Sequence, residues 1–224
     1  MRSKVIKIFF VFIGTLLLAI FIRLTIGEPC SVNSPSMEPT IMTGDWLWID
    51  RLTYGGIVPR RWSDIPIINI FTWIPALRNA DAGNDWGYRR FPGFRKPDVD
   101  DVVVFRNPEN EEILYVKRIE GILVCGEAVR IDSSNYNIMK KVIEKDGNTI
   151  YRENDKIYIN GVILKFYAPM QNFYFVLGDN RSNSLDSREY GYIPESSIVG
   201  RMSRTFFSIG ENGIRKDRFW HKIE

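Results

Sequence analysis

The chain has 224 residues, with 30 Lys and Arg against 27 Asp and Glu and 45% hydrophobic residues, which excludes a disordered polyelectrolyte and suits a membrane anchor plus one sizeable domain. The formal charge of +3 is a sum of unlike blocks: residues 1–23 contribute +4, residues 55–96 another +4, and the remainder −5. One histidine, His221 near the C-terminus, and two distant cysteines, Cys30 and Cys125, argue against a Ser-His-Asp triad and a metal site, and nothing calls for a nucleic-acid partner.

The N-terminus carries the first element. The uncharged run Ile8 to Ile22 holds 15 residues, roughly 22 Å of helix, short of a ~30 Å hydrocarbon core. Counting Val5 to Ile26, with Lys7 and Arg23 snorkelling toward the headgroups, gives 22 residues and roughly 33 Å, which spans. A cleaved secretory signal begins the same way, but Thr25-Ile26-Gly27-Glu28-Pro29-Cys30 offers no small-x-small site, so a retained anchor is expected. Arg2, Lys4 and Lys7 precede the span, against Arg23 and Glu28 after it, which places the N-terminus in the cytoplasm and everything after Gly27 outside. The expected division is 1–27 tip and anchor, 28–210 a β-rich catalytic domain, and 211–224 a C-terminal tail. Cys30 and Cys125 could form one disulfide or remain thiols.

Beyond the anchor come short runs rich in Val, Ile, Tyr and Phe, separated by turn residues. Ser34-Pro35-Ser36-Met37-Glu38-Pro39-Thr40, taken alone, reads as a loop. Strands are expected at Asp45 to Arg51, Asp101 to Arg106, Ile113 to Ile119 and Phe173 to Leu177, and Asn160-Gly161 predicts a hairpin within Lys156 to Leu164. Gly55 to Lys96 differs: Trp62, Trp73 and Trp86, four prolines, and seven basic residues against three acidic ones. That composition fits either an excursion packed by its own aromatics or contact with a membrane interface. Capped amphipathic helices are not evident, and the body reads as antiparallel β.

A serine nucleophile needs a base, and without a histidine a neutral lysine is the alternative. Lysine serves only if burial brings its pKa down toward neutrality. On the Ile113 to Ile119 strand, alternation groups Lys117 with Ile113, Tyr115 and Ile119, mainly apolar neighbours. An edge-strand lysine that snorkels outward would read the same way.

These residues together resemble the bacterial type I signal peptidases (leader peptidases), membrane-anchored serine proteases with a Ser/Lys dyad. The resemblance spans about Ser34 to Arg201. Ser36-Met37-Glu38-Pro39-Thr40 is similar to the nucleophile box, followed by Gly44-Asp45-Trp46-Leu47-Trp48-Ile49. Asp101-Val102-Val103-Val104-Phe105 and then Tyr115-Val116-Lys117-Arg118-Ile119 resemble the base box, and Gly178-Asp179-Asn180-Arg181-Ser182-Asn183-Ser184-Leu185-Asp186-Ser187-Arg188 resembles the last.

The resemblance implies Ser36 as nucleophile and Lys117 as general base. It implies Ser34 as an oxyanion-hole donor with the Ser36 N–H, Ser184 as a support for the lysine, and Tyr115 as a wall of the site. Asp179 with Arg118, and Asp186 with Arg188, would be bracing pairs. It implies a mainly β fold, antiparallel sheets forming a partly closed barrel behind one transmembrane helix, with no cofactor. Substrates would be signal-peptide-bearing preproteins cut after an Ala-x-Ala pattern at a bacterial inner membrane. The bilayer and the secretion translocon would be partners. The sequence departs from the family at Gly121 to Glu127, at Val99-Asp100-Asp101 and in the length of Gly55 to Lys96. A maturation peptidase of narrow substrate range with the same dyad, or a tethered β module that binds peptides without cutting them, are the alternatives.

Overall fold

The computed structural model describes residues 2–108, 110–111, 113–210 and 213–223; of the segments discussed above, Glu211, Asn212 and Glu224 of the expected tail and the side chain of Arg2 lie outside the described residues. Helix α1 (Arg2–Thr25) contains an 18-residue window of mean hydropathy 2.8 within Lys4–Thr25, long and apolar enough to cross a bilayer. Ile8, Phe10, Val11 and Phe21 all point away from the protein, so no single apolar stripe packs on the body. The Thr15 and Thr25 hydroxyls donate to the carbonyls of Val11 and Phe21, one turn back, which satisfies them inside the helix.

The chain then builds antiparallel strands: β1 (Gly27–Ser31), β2 (Asp45–Asp50), β3 (Val102–Arg106), β4 (Leu114–Leu123), β5 (Val129–Arg130), β6 (Ile150–Glu153), β7 (Lys156–Ile159), β8 (Val162–Ile163), β9 (Phe166–Tyr167), β10 (Phe173–Leu177), β11 (Ile193–Pro194), β12 (Ile198–Gly210), β13 (Gly213–Ile214) and β14 (His221–Lys222). The main sheet runs β1-β2-β12-β3-β4-β10-β11, with β13 and β14 on β12. Three strands separate β1 from β4, yet the turn after β1 touches β4 at Ser36 and Lys117, so the sheet curls into a partly closed barrel. The 13-residue β12 at its centre pairs with both β2 and β3 through register shifts, and such bulges supply the bend. A side sheet β6-β7-β8 turns at Asn160 and Gly161, both at positive φ, as an Asn-Gly hairpin requires.

Strand β3 is buried on both faces, and β4 is buried chiefly on the face that carries Lys117 and Ile119. Val102, Val104 and Val116 join Met37, Leu47, Ile49 and Met202 in one core, while Val103, Phe105, Tyr115 and Ile119 join Tyr174, Val176 and Ile193 in another. A third core lies under the side sheet and includes helix α3 (Tyr136–Lys145). No amphipathic helix is expected from the sequence after the anchor, and α3 corrects that. Tyr136, Met139, Val142 and Ile143 form its packed stripe, and Asn135 at its N-cap turns its side-chain oxygen to the Asp132 N–H instead of capping the helix.

Residues 213–223 return to the sheet. Ile223 is buried in the first core, and the Arg218 guanidinium donates to the fully buried Asp45 carboxylate at 2.6–3.1 Å and to the Thr40 carbonyl at 2.9 Å. His221 sits exposed on β14 opposite Thr205.

The Gly55 to Lys96 excursion folds into 3-10 turns at Trp62–Asp64 and Ile68–Trp73 followed by helix α2 (Pro75–Ala82). Asp81 ties α2 to the first of these turns: its carboxylate accepts the N–H groups of Trp62 at 3.0 Å and Ser63 at 2.9 Å. The Trp62 and Trp86 rings meet edge to face at 5.2 Å. Ile70, Phe71, Ile74 and Leu77 nevertheless face outward, and Trp73 is 87% exposed.

Candidate active site

Ser36 lies in a 3-10 turn, Pro35–Met37, that leaves β1 through Val32 to Ser34. Met37 anchors the turn in the first core, while Ser34 starts it, its hydroxyl accepting the Ser36 N–H at a long 3.4 Å. From the opposite side Asn180 donates its N–H to the Ser36 carbonyl at 3.1 Å and its side-chain amide to Pro35 at 3.2 Å. The serine is therefore held through its backbone, leaving the hydroxyl to meet other groups.

Lys117 stands opposite Val103 in the middle of β4, only 3% exposed. Its amine lies 2.7 Å from Ser36 Oγ and donates to the Val116 carbonyl at 3.0 Å, 5.5 Å from the centre of the Tyr115 ring. Burial pushes the Lys117 ammonium down to about 8, against the opposing fields of Asp186 and Asp179. The pair opens into a cavity of about 530 Å³ whose walls include Ser34, Tyr115, Ser184, Leu185 and Cys30.

The loop after β10 shapes the other wall. Gly178 permits its close approach: a Cβ there would lie 2.2 Å from Ser184 Oγ and 2.5 Å from the Ser36 carbonyl oxygen. Ser184 Oγ is buried without a hydrogen-bond partner, and its expected bond to the Lys117 amine is not made in this structure. Asp186 caps helix α4 (Ser187–Tyr190) and takes Arg188 Nε at 2.8 Å, Arg188 Nη2 at 3.0 Å and the Gly178 N–H at 3.1 Å. Burial would raise its pKa, but these hydrogen bonds outweigh it and hold the carboxyl at about 2. Arg118 grips Asp179 with two parallel bonds of 2.9 and 2.8 Å and donates to the Asp100 carbonyl at 3.0 Å, tying β4 to the loop.

The structure thus gathers Ser34, Ser36, Tyr115, Lys117 and Ser184 around one cavity, with both Asp/Arg pairs beside it. It adds Asn180, which the sequence carries inside the Gly178 to Arg188 box without marking its role. Lys145 is likewise brought to about 8 by burial, but it donates to the Tyr192 carbonyl and has no hydroxyl to activate. Cys30 and Cys125 are free thiols, and burial raises Cys30 to about 11. A serine hydroxyl against a buried amine whose pKa is brought down to about 8 is equipped for nucleophilic attack on a carbonyl.

Comparison with known proteins bears on that chemistry. A family model described as "Signal peptidase, peptidase S26" matches residues 3–171 and 168–207. The chain is 29% identical over 227 residues to a signal peptidase I of Rickettsia massiliae, covering 88% of this chain and 77% of the relative. It is 26% identical over 235 residues to one from Aquifex aeolicus, covering 93% and 85%. A third, from Buchnera aphidicola, is 25% identical over 279 residues, covering 97% and 80%.

Proposed function

This chain belongs to the S26 signal peptidase family, and on that premise we propose that it is a membrane-anchored serine endopeptidase that removes signal peptides from translocated preproteins, with Ser36 as nucleophile and Lys117 as its base. The observation that carries this assignment is the 2.7 Å separation of Lys117 Nζ from Ser36 Oγ in a buried cavity.

Neutral Lys117 accepts the Ser36 proton as Oγ attacks the scissile carbonyl, giving a tetrahedral intermediate and an ammonium. That ammonium returns its proton to the leaving amine as the C–N bond breaks, leaving an acyl-enzyme and a neutral lysine. A water, deprotonated by the same amine, then releases the acyl group. Rotation of the Ser34 side chain frees its hydroxyl and the Ser36 N–H from each other, so that both donate to the oxyanion. Ser184, which lines the same cavity as the amine, orients Lys117 once the site is occupied. Tyr115 walls the site, while the Arg118–Asp179 and Asp186–Arg188 pairs fix the strand and loop between which the base sits.

β1 ends the main sheet, so an extended peptide adds along its open side and brings small residues at the first and third positions before the cut into the cavity. The N-terminus lies in the cytoplasm, α1 spans the inner membrane, and the body stands outside, where the translocon delivers preproteins. Detergent-solubilised full-length protein should cleave a preprotein with an Ala-x-Ala site. Ser36→Ala and Lys117→Ala should each abolish cleavage while circular dichroism keeps the native signature. Near-normal turnover by folded Lys117→Ala would refute the mechanism. Protease protection in oriented vesicles tests the topology, and a body shielded from the outer face would reverse it.

A further inference from the structure

Beside the mouth of the active site lies a second cavity, of about 580 Å³, whose walls carry Arg23, Arg51, Arg61, Arg78 and Arg106. Three acids share the wall, Asp64, Asp81 and Glu111; two of them pair with Arg61 and Arg106, but among the described residues none hydrogen-bonds a guanidinium of this wall. Asp81 is occupied by the backbone N–H groups of Trp62 and Ser63. Arg61 and Arg106 reach Asp64 and Glu111 only at 3.8–3.9 Å, beyond hydrogen-bond range. Glu28, just outside, is shared by Arg23 and Arg51. Arg51 keeps a buried Nε without an acceptor, and Arg78 ion-pairs with no carboxylate among the described residues. The cavity is a set of guanidinium donors short of acceptors, the arrangement that suits a phosphodiester.

Two features say which phosphodiester. Arg23 belongs to the last turn of α1, so the cavity sits where that helix leaves the hydrocarbon, at headgroup depth. A second, largely apolar cleft of about 350 Å³, walled by Trp62, Ile68, Phe71, Leu77 and Ala80, shares Ser63, Thr72 and Asp81 with the arginine cavity. A polar chamber adjoining an apolar slot, with three wall residues in common, matches a headgroup joined to an acyl chain, and a free phosphate would leave the slot empty.

We propose that Gly55 to Lys96 and the end of α1 form a binding site for one anionic phospholipid, its phosphate among Arg51, Arg61, Arg78 and Arg106 and one acyl chain against Trp62, Phe71 and Leu77. Leu114 walls both this cavity and the one holding Ser36 and Lys117, so the bound lipid fixes the peptide entrance at the membrane surface. The proposal rests on α1 being a membrane anchor.

Full-length protein is reconstituted into phosphatidylcholine bilayers with or without phosphatidylglycerol, extracted in mild detergent, and its retained lipid counted by native mass spectrometry. Wild type should retain one phosphatidylglycerol in preference to phosphatidylcholine. The Arg61→Ala/Arg78→Ala pair should lose retention at least about tenfold, as should Leu77→Asn, because each removes part of the grip. The charge-matched pair Arg89→Ala/Arg130→Ala, outside both cavities, should keep it. Equal retention of the two lipids, equal loss in the control pair, or displacement by inorganic phosphate at comparable concentration overturns the site while flotation with liposomes still reports an intact anchor. Wild type that fails to float overturns the anchor and the site together.

Discussion

The lysine base makes the pH dependence of cleavage quantitative. Burial brings Lys117 from an ordinary 10.5 to about 8. At 1.36 kcal/mol per tenfold change, the protein therefore favours the neutral amine by roughly 3 kcal/mol relative to a solvated lysine. At pH 7 about a tenth of such enzyme carries the neutral base, against roughly 0.03% for an ordinary lysine, and at pH 9 about nine-tenths does. Initial rates with a preprotein at low concentration, measured from pH 6 to 10.5, should give kcat/KM rising with unit slope and levelling near pH 9, a gain of about tenfold between pH 7 and 9. A profile still climbing at pH 10 would mean a solvated lysine, and a flat one would mean another base. Either refutes the assignment.

The same depression has a stability consequence of known sign. Below pH 8 the amine is charged in both the folded and unfolded chain, and the cost of burying it is fully present. Between pH 8 and 10.5 the unfolded chain binds more protons, so that cost fades as pH rises. Lys117→Met should accordingly raise the melting temperature most near pH 6 to 7 and least above pH 10. A melting-temperature difference that does not change with pH would contradict the buried, depressed amine.

Other substitutions test the supports. Ser34→Ala should lower kcat by about 10² to 10³ with KM little changed, the effect of losing one oxyanion donor; steady-state kinetics check it. Gly178→Ala places a methyl group against Ser184 and the Ser36 carbonyl, and should destabilise by about 1–3 kcal/mol in urea titration while cutting kcat further than the stability loss explains. Arg218→Ala strands the fully buried Asp45 carboxylate and should cost about 3–5 kcal/mol in the same titration near neutral pH. Because Asp45 titrates below the usual carboxylate range when paired, that penalty should shrink as pH falls through the acid range.

Strands with strong β patterns, such as β3, β10 and the Asn160-Gly161 hairpin, were legible from local residue types. The dyad was not: Ser34 to Thr40 alone reads as a loop, alternation gives Lys117 apolar company that an edge-strand lysine would share, and only the resemblance of the ordered boxes singles out Ser36 and Lys117. What the sequence hides is set by distant partners. β12 reads weakly because bulges break its alternation, although it holds β2 and β3 together. The Asp45–Arg218 pair joins residues 173 positions apart, and neither looks buried from its neighbours. α3 is short, and its packed stripe meets partners on β6, β7 and β9 that local sequence does not show. In the excursion, Asp81 ties helix α2 to the Trp62–Asp64 turn through backbone N–H groups that no side-chain pattern announces.

Lys145 shows what the fold must add to the composition. It is as depressed as Lys117, so burial of a lysine is not by itself a catalytic device. The difference lies in what each amine meets: a carbonyl, which can only accept from it, or a hydroxyl, which can give it a proton. Meeting Ser36 requires the sheet to bring the turn after β1 across to β4, and that depends on the bulged β12, on Gly178 letting the Ser184 loop close in, and on Asn180 holding the turn by its backbone. Substitutions at these positions touch neither proton donor nor acceptor. They should nonetheless lower kcat while leaving the pH midpoint near 8, because they change the distance between the two groups without rehydrating the amine.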